Sequence, residues 1–209
     1  MNDDILTEPF LLDEEENLGM CLVVSESLPI RDLDSLLEDL HTAFGSGFVW
    51  TLKEIAAHNE FKPLVNESGI YTVGGKNSED YKSLLNAAHK AVEHGYRVFI
   101  LPNPKGTRTA DFIFERKGVY KMYDLKTITG KASVGNRLLD SIGQTNRVLL
   151  NITSDYNTRL LTSDLKRYFE ANSNALEVLI FKGKKKISIV RRHVVNPSFY
   201  AILKKLYEK

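Results

Sequence analysis

The sequence predicts an α/β chain in which a mixed β-sheet is flanked by helices, and three observations predict it. Runs of strand length, apolar or alternating, recur as YRVFILP, ADFIFER, VYKMYDLK, VLLNI, EVLIF and ISIVRR. The first three follow one another across short turn sequences and so pair antiparallel, whereas a crossover helix and a further strand, VLLNI, come after them. A hydrophobic content of 43% with 10% aromatics suffices for a buried core.

Residues 1–17 carry seven acids and no base, with Asp13 to Glu16 continuous, and read as an acidic mobile tail. Residues 18–73 read as a small acidic subdomain. In it MCLVV predicts a short strand, RDLDSLLEDLHTAF a helix with Leu33, Leu36, Leu37 and Leu40 on one stripe, WTLKEIAAHNEF a second helix, and Asn66 to Gly69 a turn. Residues 74–209 form the basic domain, entered through Gly74-Gly75-Lys76-Asn77. A helix over Glu79 to His94 follows, capped by Asn77 or Ser78, with Tyr81, Leu84, Leu85, Ala88 and Val92 as its apolar stripe and Gly95 at its stop. After the three strand runs, NRLLDSIGQTNR predicts a helix, VLLNI a buried strand and TSDLKRYFEAN a helix, and EVLIF with ISIVRR a hairpin around Gly-Lys-Lys-Lys. The order from residue 79 is αβββαβαββ.

The total charge, 28 bases against 27 acids, conceals a division. Residues 1–70 hold 15 acids and 3 bases, for −12, which leaves +13 on residues 71–209. Such asymmetry points to a polyanionic partner for the basic part and a regulatory or partner-facing role for the acidic part. The single cysteine, Cys21, excludes a disulfide framework and a thiolate zinc site and fits a reducing compartment. No run approaches the roughly 18 apolar residues of a membrane span, and the N-terminus lacks a positively charged signal, so a cytoplasmic protein is expected.

The chemistry-bearing stretch is Ala110 to Lys126. A two-residue turn at Lys117-Gly118 pairs Arg116 with Val119, Ile113 with Met122 and Phe112 with Tyr123, and sets Asp111 opposite Asp124. A three-residue turn would shift this register by one unless a bulge absorbed it. Lys126, two residues beyond Asp124, projects from the same face. Two carboxylates opposed on a sheet repel each other, so a cation between them is expected. Mg²⁺ takes one or two carboxylates plus water and phosphate oxygens, with Mn²⁺ and Zn²⁺ as alternatives. A lysine beside such an ion can orient a water or stabilise charge on a phosphate in transfer.

Asp111, then Asp124-Leu125-Lys126 after a hairpin, with a helix and strand before and a helix and strand after, resembles the PD-(D/E)XK nuclease core, αβββαβ. The run from LLNAAHKAVEHGYRVFILP through ADFIF and DLKT to GQTNRVLLNI is more specifically similar to the C-terminal nuclease domains of contact-dependent growth-inhibition toxins, several of which cut tRNA. Similar domains accompany phage head-morphogenesis proteins. The resemblance spans residues 77–155. It implies a metal-dependent nuclease, RNA favoured over DNA, an immunity or inhibitor protein as partner, and Asp111, Asp124 and Lys126 as catalytic residues, the two acids holding the metal. Ala110 replaces the proline of the motif, and Asp124 replaces the commoner glutamate.

Further candidates surround that core. Glu79 stands where members add an acid from the first helix, although it lies opposite the apolar stripe and suits the helix dipole equally well. Gln144 occupies the place of a glutamine in toxin-like members and, on a continuous helix, shares a face with Arg137. Arg108, Lys121, Lys131 and Arg137 are candidate phosphate contacts. The alternatives are a metal-free ribonuclease in which His89, Lys126, Thr127 and Ser133 gather around the scissile phosphate, as in barnase or colicin-like enzymes, and a non-catalytic nucleic-acid-binding or phage-associated protein on the same scaffold. His41, His58, His94 and His193 show no zinc-ligand spacing.

Overall fold

The computed structural model describes residues 31–40, 42–74, 79–102, 110–130 and 133–208. The acidic tail, the MCLVV segment and the caps Asn77 and Ser78 lie outside the described residues. The architecture is a mixed eight-stranded sheet flanked by helices, with strands in the sheet in chain order.

Helix α1 (Leu33–Asp39) starts where the Asp32 carboxylate accepts the Ser35 amide at 2.9 Å, and buries Leu33, Leu36 and Leu37. Helix α2 (Gly45–Ala57) buries Val49, Leu52 and Ile55. Strands β1 (Lys62–Pro63) and β2 (Ile70–Thr72) form one edge of the sheet, and β2 runs parallel to β3 (Arg97–Ile100). Helices α1 and α2 close over Phe99, Ile113 and Met122. Residues 31–73 therefore share both a sheet and a core with the rest of the chain. A fragment beginning at Gly74 is expected to lose this cover and to unfold at lower urea than one beginning at Arg31, with enhanced binding of a hydrophobic dye; equal urea midpoints would contradict the shared core.

Helix α3 (Glu79–Glu93) packs Ala87, Ala88 and Ala91 onto one face of the sheet, against Phe112, Phe114, Tyr123, Leu149 and Phe181. The three alanines let the helix axis approach the strands closely. Strands β4 (Phe112–Arg116) and β5 (Val119–Ile128) form the expected hairpin. Lys117 and Gly118 both have positive φ, 53° and 81°, as a two-residue hairpin turn requires. Phe112 pairs with Tyr123, Ile113 with Met122 and Arg116 with Val119, the register the turn predicts.

The opposite face carries α4 (Val134–Asp140), α5 (Thr158–Ala171) and α7 (Phe199–Glu208), which pack on Val148, Leu150, Ile152, Val178 and Ile180. Strands β6 (Arg147–Ile152) and β7 (Glu177–Lys182) extend the sheet in parallel from β5, and β8 (Lys185–Ile189) closes it antiparallel. The order αβββαβ is thus present from α3 to β6, with α3 and α4 on opposite faces of the sheet.

Several elements differ from the sequence expectation: β1 and β2 form where the sequence predicts only a turn, α2 begins at Gly45 ahead of Trp50, and three further differences lie in the second half of the chain. Helix α4 stops at Asp140 and gives way to turns, with Gly143 at φ 88° and the Gln144 amide donating to the Asp140 carbonyl at 3.1 Å. Strand β8 ends before Val-Arg-Arg, because Arg191 starts a short helix α6 (Arg191–Val194) and donates to the Phe169 and Asn172 carbonyls at the end of α5, each at 2.6 Å. Helix α7, where the sequence analysis names no element, buries Phe199, Leu203 and Tyr207.

Candidate active site

The regular hairpin register ends at Phe112 opposite Tyr123. Beyond it the Asp111 amide donates to the Tyr123 carbonyl at 3.0 Å, one residue out of that register, so a local bulge and not a continued ladder brings Asp111 beside Asp124. The side chains of Tyr123 and Leu125 join the core beneath α3, so Asp124 and Lys126 project from the other face, and Asp111 joins them there. There they occupy the seam between two apolar clusters: Met122 belongs to the one under α1 and α2, and Ile128 to the one under α4 and α5.

The three groups are tightly engaged. The Leu125 amide donates to Asp111 Oδ2 at 2.6 Å, and Lys126 Nζ lies 2.8 Å from Asp124 Oδ2. That lysine approach is an ion pair without hydrogen-bond alignment, which leaves Asp124 Oδ2 a buried acceptor without an aligned donor. Burial, together with the adjacent Asp124 carboxylate, pushes the Asp111 carboxyl up to about 7 against the pull of the Leu125 amide and Lys126. Burial raises Asp124 as well, opposed by Lys126. The two neighbouring carboxyls are thus harder to ionise together than either would be alone.

Paired carboxylates with a buried unaligned oxygen fit a hard divalent ion that completes its shell with water and substrate oxygens. Among the described residues no group of three or more His, Cys, Asp or Glu converges, so water and substrate would supply the rest of the shell of whichever ion bound.

The remaining candidates are dispersed. His89 sits on α3 with Nε2 2.9 Å from Glu67 Oε1, and α3 covers the face away from Lys126. Thr127 also projects away from Lys126, and Ser133 caps α4 by accepting the Asn136 amide at 3.4 Å. The metal-free grouping of His89, Lys126, Thr127 and Ser133 is therefore not assembled, since adjacent strand residues face opposite sides. Lys121, a candidate phosphate contact on the hairpin, lies on the α3 face away from the acids and is paired at 3.0 Å with Glu177. Arg137 is exposed on α4. Gln144 shares no helix face with it, because α4 has already ended. Instead Gln144 lines a cavity of about 320 Å³ between α1–α2 and the turn after α4, with Phe44, Leu176 and Met122 also in its wall. Met122 stands two residues from Asp124 on the same face, so this cleft opens one pleat from the acids. Arg108, Lys131 and the side chain of Glu79 lie outside the described residues.

Two polar groupings escaped the sequence analysis. Lys90 Nζ donates to Asn151 Oδ1 at 2.7 Å and Asn151 Nδ2 to Asn86 Oδ1 at 2.9 Å, which ties α3 to β6 at the level of Thr127. The signal available was one asparagine in the apolar run VLLNI, with Asn86 and Lys90 four apart on a helix. Glu177 is the second: it accepts from Lys121 at 3.0 Å, the Tyr123 hydroxyl at 2.9 Å and the Ser188 hydroxyl at 2.6 Å, with Arg147 Nε at 3.6 Å. Burial alone would raise this carboxyl, but Lys121, Arg147 and Ser188 outweigh it and hold Glu177 down at about 2.

No helix among the described residues is long and apolar enough to cross a membrane. No protein-family model, curated protein or solved structure matches this chain.

Proposed function

We propose that this protein is a metal-dependent nuclease that hydrolyses phosphodiester bonds in RNA, a reading of the toxin-nuclease type with an immunity protein as partner and action in the cytoplasm. The observation that carries it is the burial of Asp111 and Asp124 side by side with Lys126 on one sheet face. Burying two like charges costs several kcal/mol unless a cation or a proton compensates, and a purely structural strand end has no need of them. The αβββαβ order around the pair supports the same reading.

Mg²⁺ bound between Asp111 and Asp124 would polarise a phosphoryl oxygen and acidify a coordinated water. The chain's own contribution is positional. The Leu125 amide fixes Asp111 Oδ2, so that carboxyl cannot rotate away once its proton is lost. Lys126, now beside Asp124, is placed to hold the attacking water or to neutralise negative charge accumulating on the phosphate oxygens.

Purified protein incubated with total RNA and with plasmid DNA, in Mg²⁺, Mn²⁺ or EDTA, separates the readings on one gel. Cleavage of RNA with Mg²⁺ and none in EDTA is expected. Cleavage in EDTA would indicate metal-free chemistry, and no cleavage under any condition would indicate a binding protein. Lys126→Ala should lower the Mg²⁺-dependent rate by about 100-fold or more, the usual scale for one transition-state donor. A rate within twofold of the parent would remove Lys126 from the mechanism.

A further inference from the structure

We propose that the α3 face of the sheet carries a second docking surface, formed by Arg116, Lys186 and Tyr96, for the phosphate backbone of folded RNA. The choice of RNA rests on the nuclease reading; the surface itself rests on charge and geometry. Arg116 Cζ lies 5.7 Å and Lys186 Nζ 5.2 Å from the Tyr96 ring centroid, so two cations share one aromatic ring. That ring is anchored against Phe114, with centroids 5.3 Å apart.

Among the described residues neither Arg116 nor Lys186 ion-pairs with a carboxylate. Glu177, whose field reaches Lys186 and Tyr96, is enclosed by Lys121, Tyr123, Ser188 and Arg147. Glu93 and His94, at the end of α3, are the other titratable groups nearby, and Glu93 acts on His94. Lys121 and Arg147 already answer the Glu177 charge, and Arg116 and Lys186 add positive charge beyond it. Burial and the repulsion of Arg116 and Lys121 together lower the Lys186 ammonium. A polyanion relieves that repulsion, and two cations held on one anchored ring form a paired contact for phosphate oxygens.

The surface lies on the face opposite Asp111 and Asp124. RNA that reaches both must be large enough to pass from one face of the sheet to the other, which a short single strand is not. The two sites together therefore select for a folded substrate.

Binding of the full chain in EDTA tests this without any cleavage step. The probes are a hairpin RNA of roughly 16 base pairs and a single-stranded oligonucleotide of about six nucleotides. Arg116→Glu with Lys186→Glu should weaken hairpin binding about tenfold or more at low salt and flatten the slope of log K against log salt by about 1.5. Oligonucleotide affinity should not change. Arg116→Gln with Lys186→Gln, which preserves packing if charge reversal unfolds the chain, should shift hairpin binding in the same direction by a smaller factor. Unchanged hairpin affinity and slope in a folded variant would overturn the proposal, as would equal losses for both probes. Selective loss of hairpin affinity in a protein whose parent never cleaves RNA would instead sink the nuclease reading and leave this surface standing.

Discussion

Asp111→Asn is expected to raise the melting temperature of the metal-free protein at pH 8 while abolishing its Mg²⁺-dependent cleavage of RNA. The Asp111 carboxyl is held at about 7, above its ordinary 3.8, chiefly because it is buried. For an acid raised in the folded state, stability is complete below the unfolded value and falls as pH rises through the folded one. Metal-free protein should therefore weaken between about pH 4 and pH 7, by about 4 kcal/mol at the upper end if the whole difference is expressed. Asparagine keeps an oxygen for the Leu125 amide and carries no proton to lose. The variant should gain about 5 °C or more at pH 8 and little at pH 5. Mg²⁺ should stabilise the parent at pH 8 and fail to stabilise the variant, and the cleavage rate should fall by about a thousandfold or more. A variant that melts below the parent at pH 8, or still cuts, would show that the pair is structural.

Glu177→Gln should be the most damaging single substitution away from those acids. Its carboxylate is the common acceptor for Lys121, Tyr123 and Ser188, with Arg147 beside it, so residues from β5, β6, β7 and β8 meet on it. Glutamine has nearly the same shape but no charge, which leaves Lys121 and Arg147 confronting each other beneath Tyr123. Removing one partner of a buried charge cluster costs about 3–5 kcal/mol, measurable as a lowered urea midpoint at pH 7. The pH dependence gives a second check. A carboxyl held at about 2 against an ordinary 4.5 contributes stability that is complete above 4.5 and is lost as pH falls through 2. The gap between parent and variant should accordingly narrow in acid. A gap that persists undiminished at pH 2 would mean that shape, not charge, makes Glu177 necessary.

The same residue marks where reading the chain alone ends. Lys121, Arg147, Glu177 and Ser188 are separated by 26, 30 and 11 positions, and no period connects them. Only the parallel pairing of β5, β6 and β7, with β8 antiparallel beside β7, brings them together. Similarly, the helical pattern over 79–94 defines the stripe that α3 buries, but which face of the sheet it covers depends on packing among distant strands. That placement separates His89 from Lys126. Gln144 shares no helix face with Arg137 for a local reason: the apolar period through Leu138 and Leu139 runs on past Asp140, while Gly143 at positive φ and the turn before β6 end the helix early.

The hairpin is the contrasting case. A two-residue turn of Lys117 and Gly118 admits one register, and a strand period of two then assigns every side chain between Phe112 and Lys126 to a face. The juxtaposition of Asp124 and Lys126 was therefore already implicit in the sequence, and Asp111 reaches them through the bulge at the strand end. Their burial was not, and burial is what raises Asp111 and makes the pair costly enough to imply a ligand. That property comes from α1 and α2 on one side and α4 and α5 on the other, closing around a site to which they lend no acid among the described residues. Local geometry travels with the chain because turns and strands are short-range; the dielectric around a charge does not, because it is made by whatever the rest of the molecule packs against it.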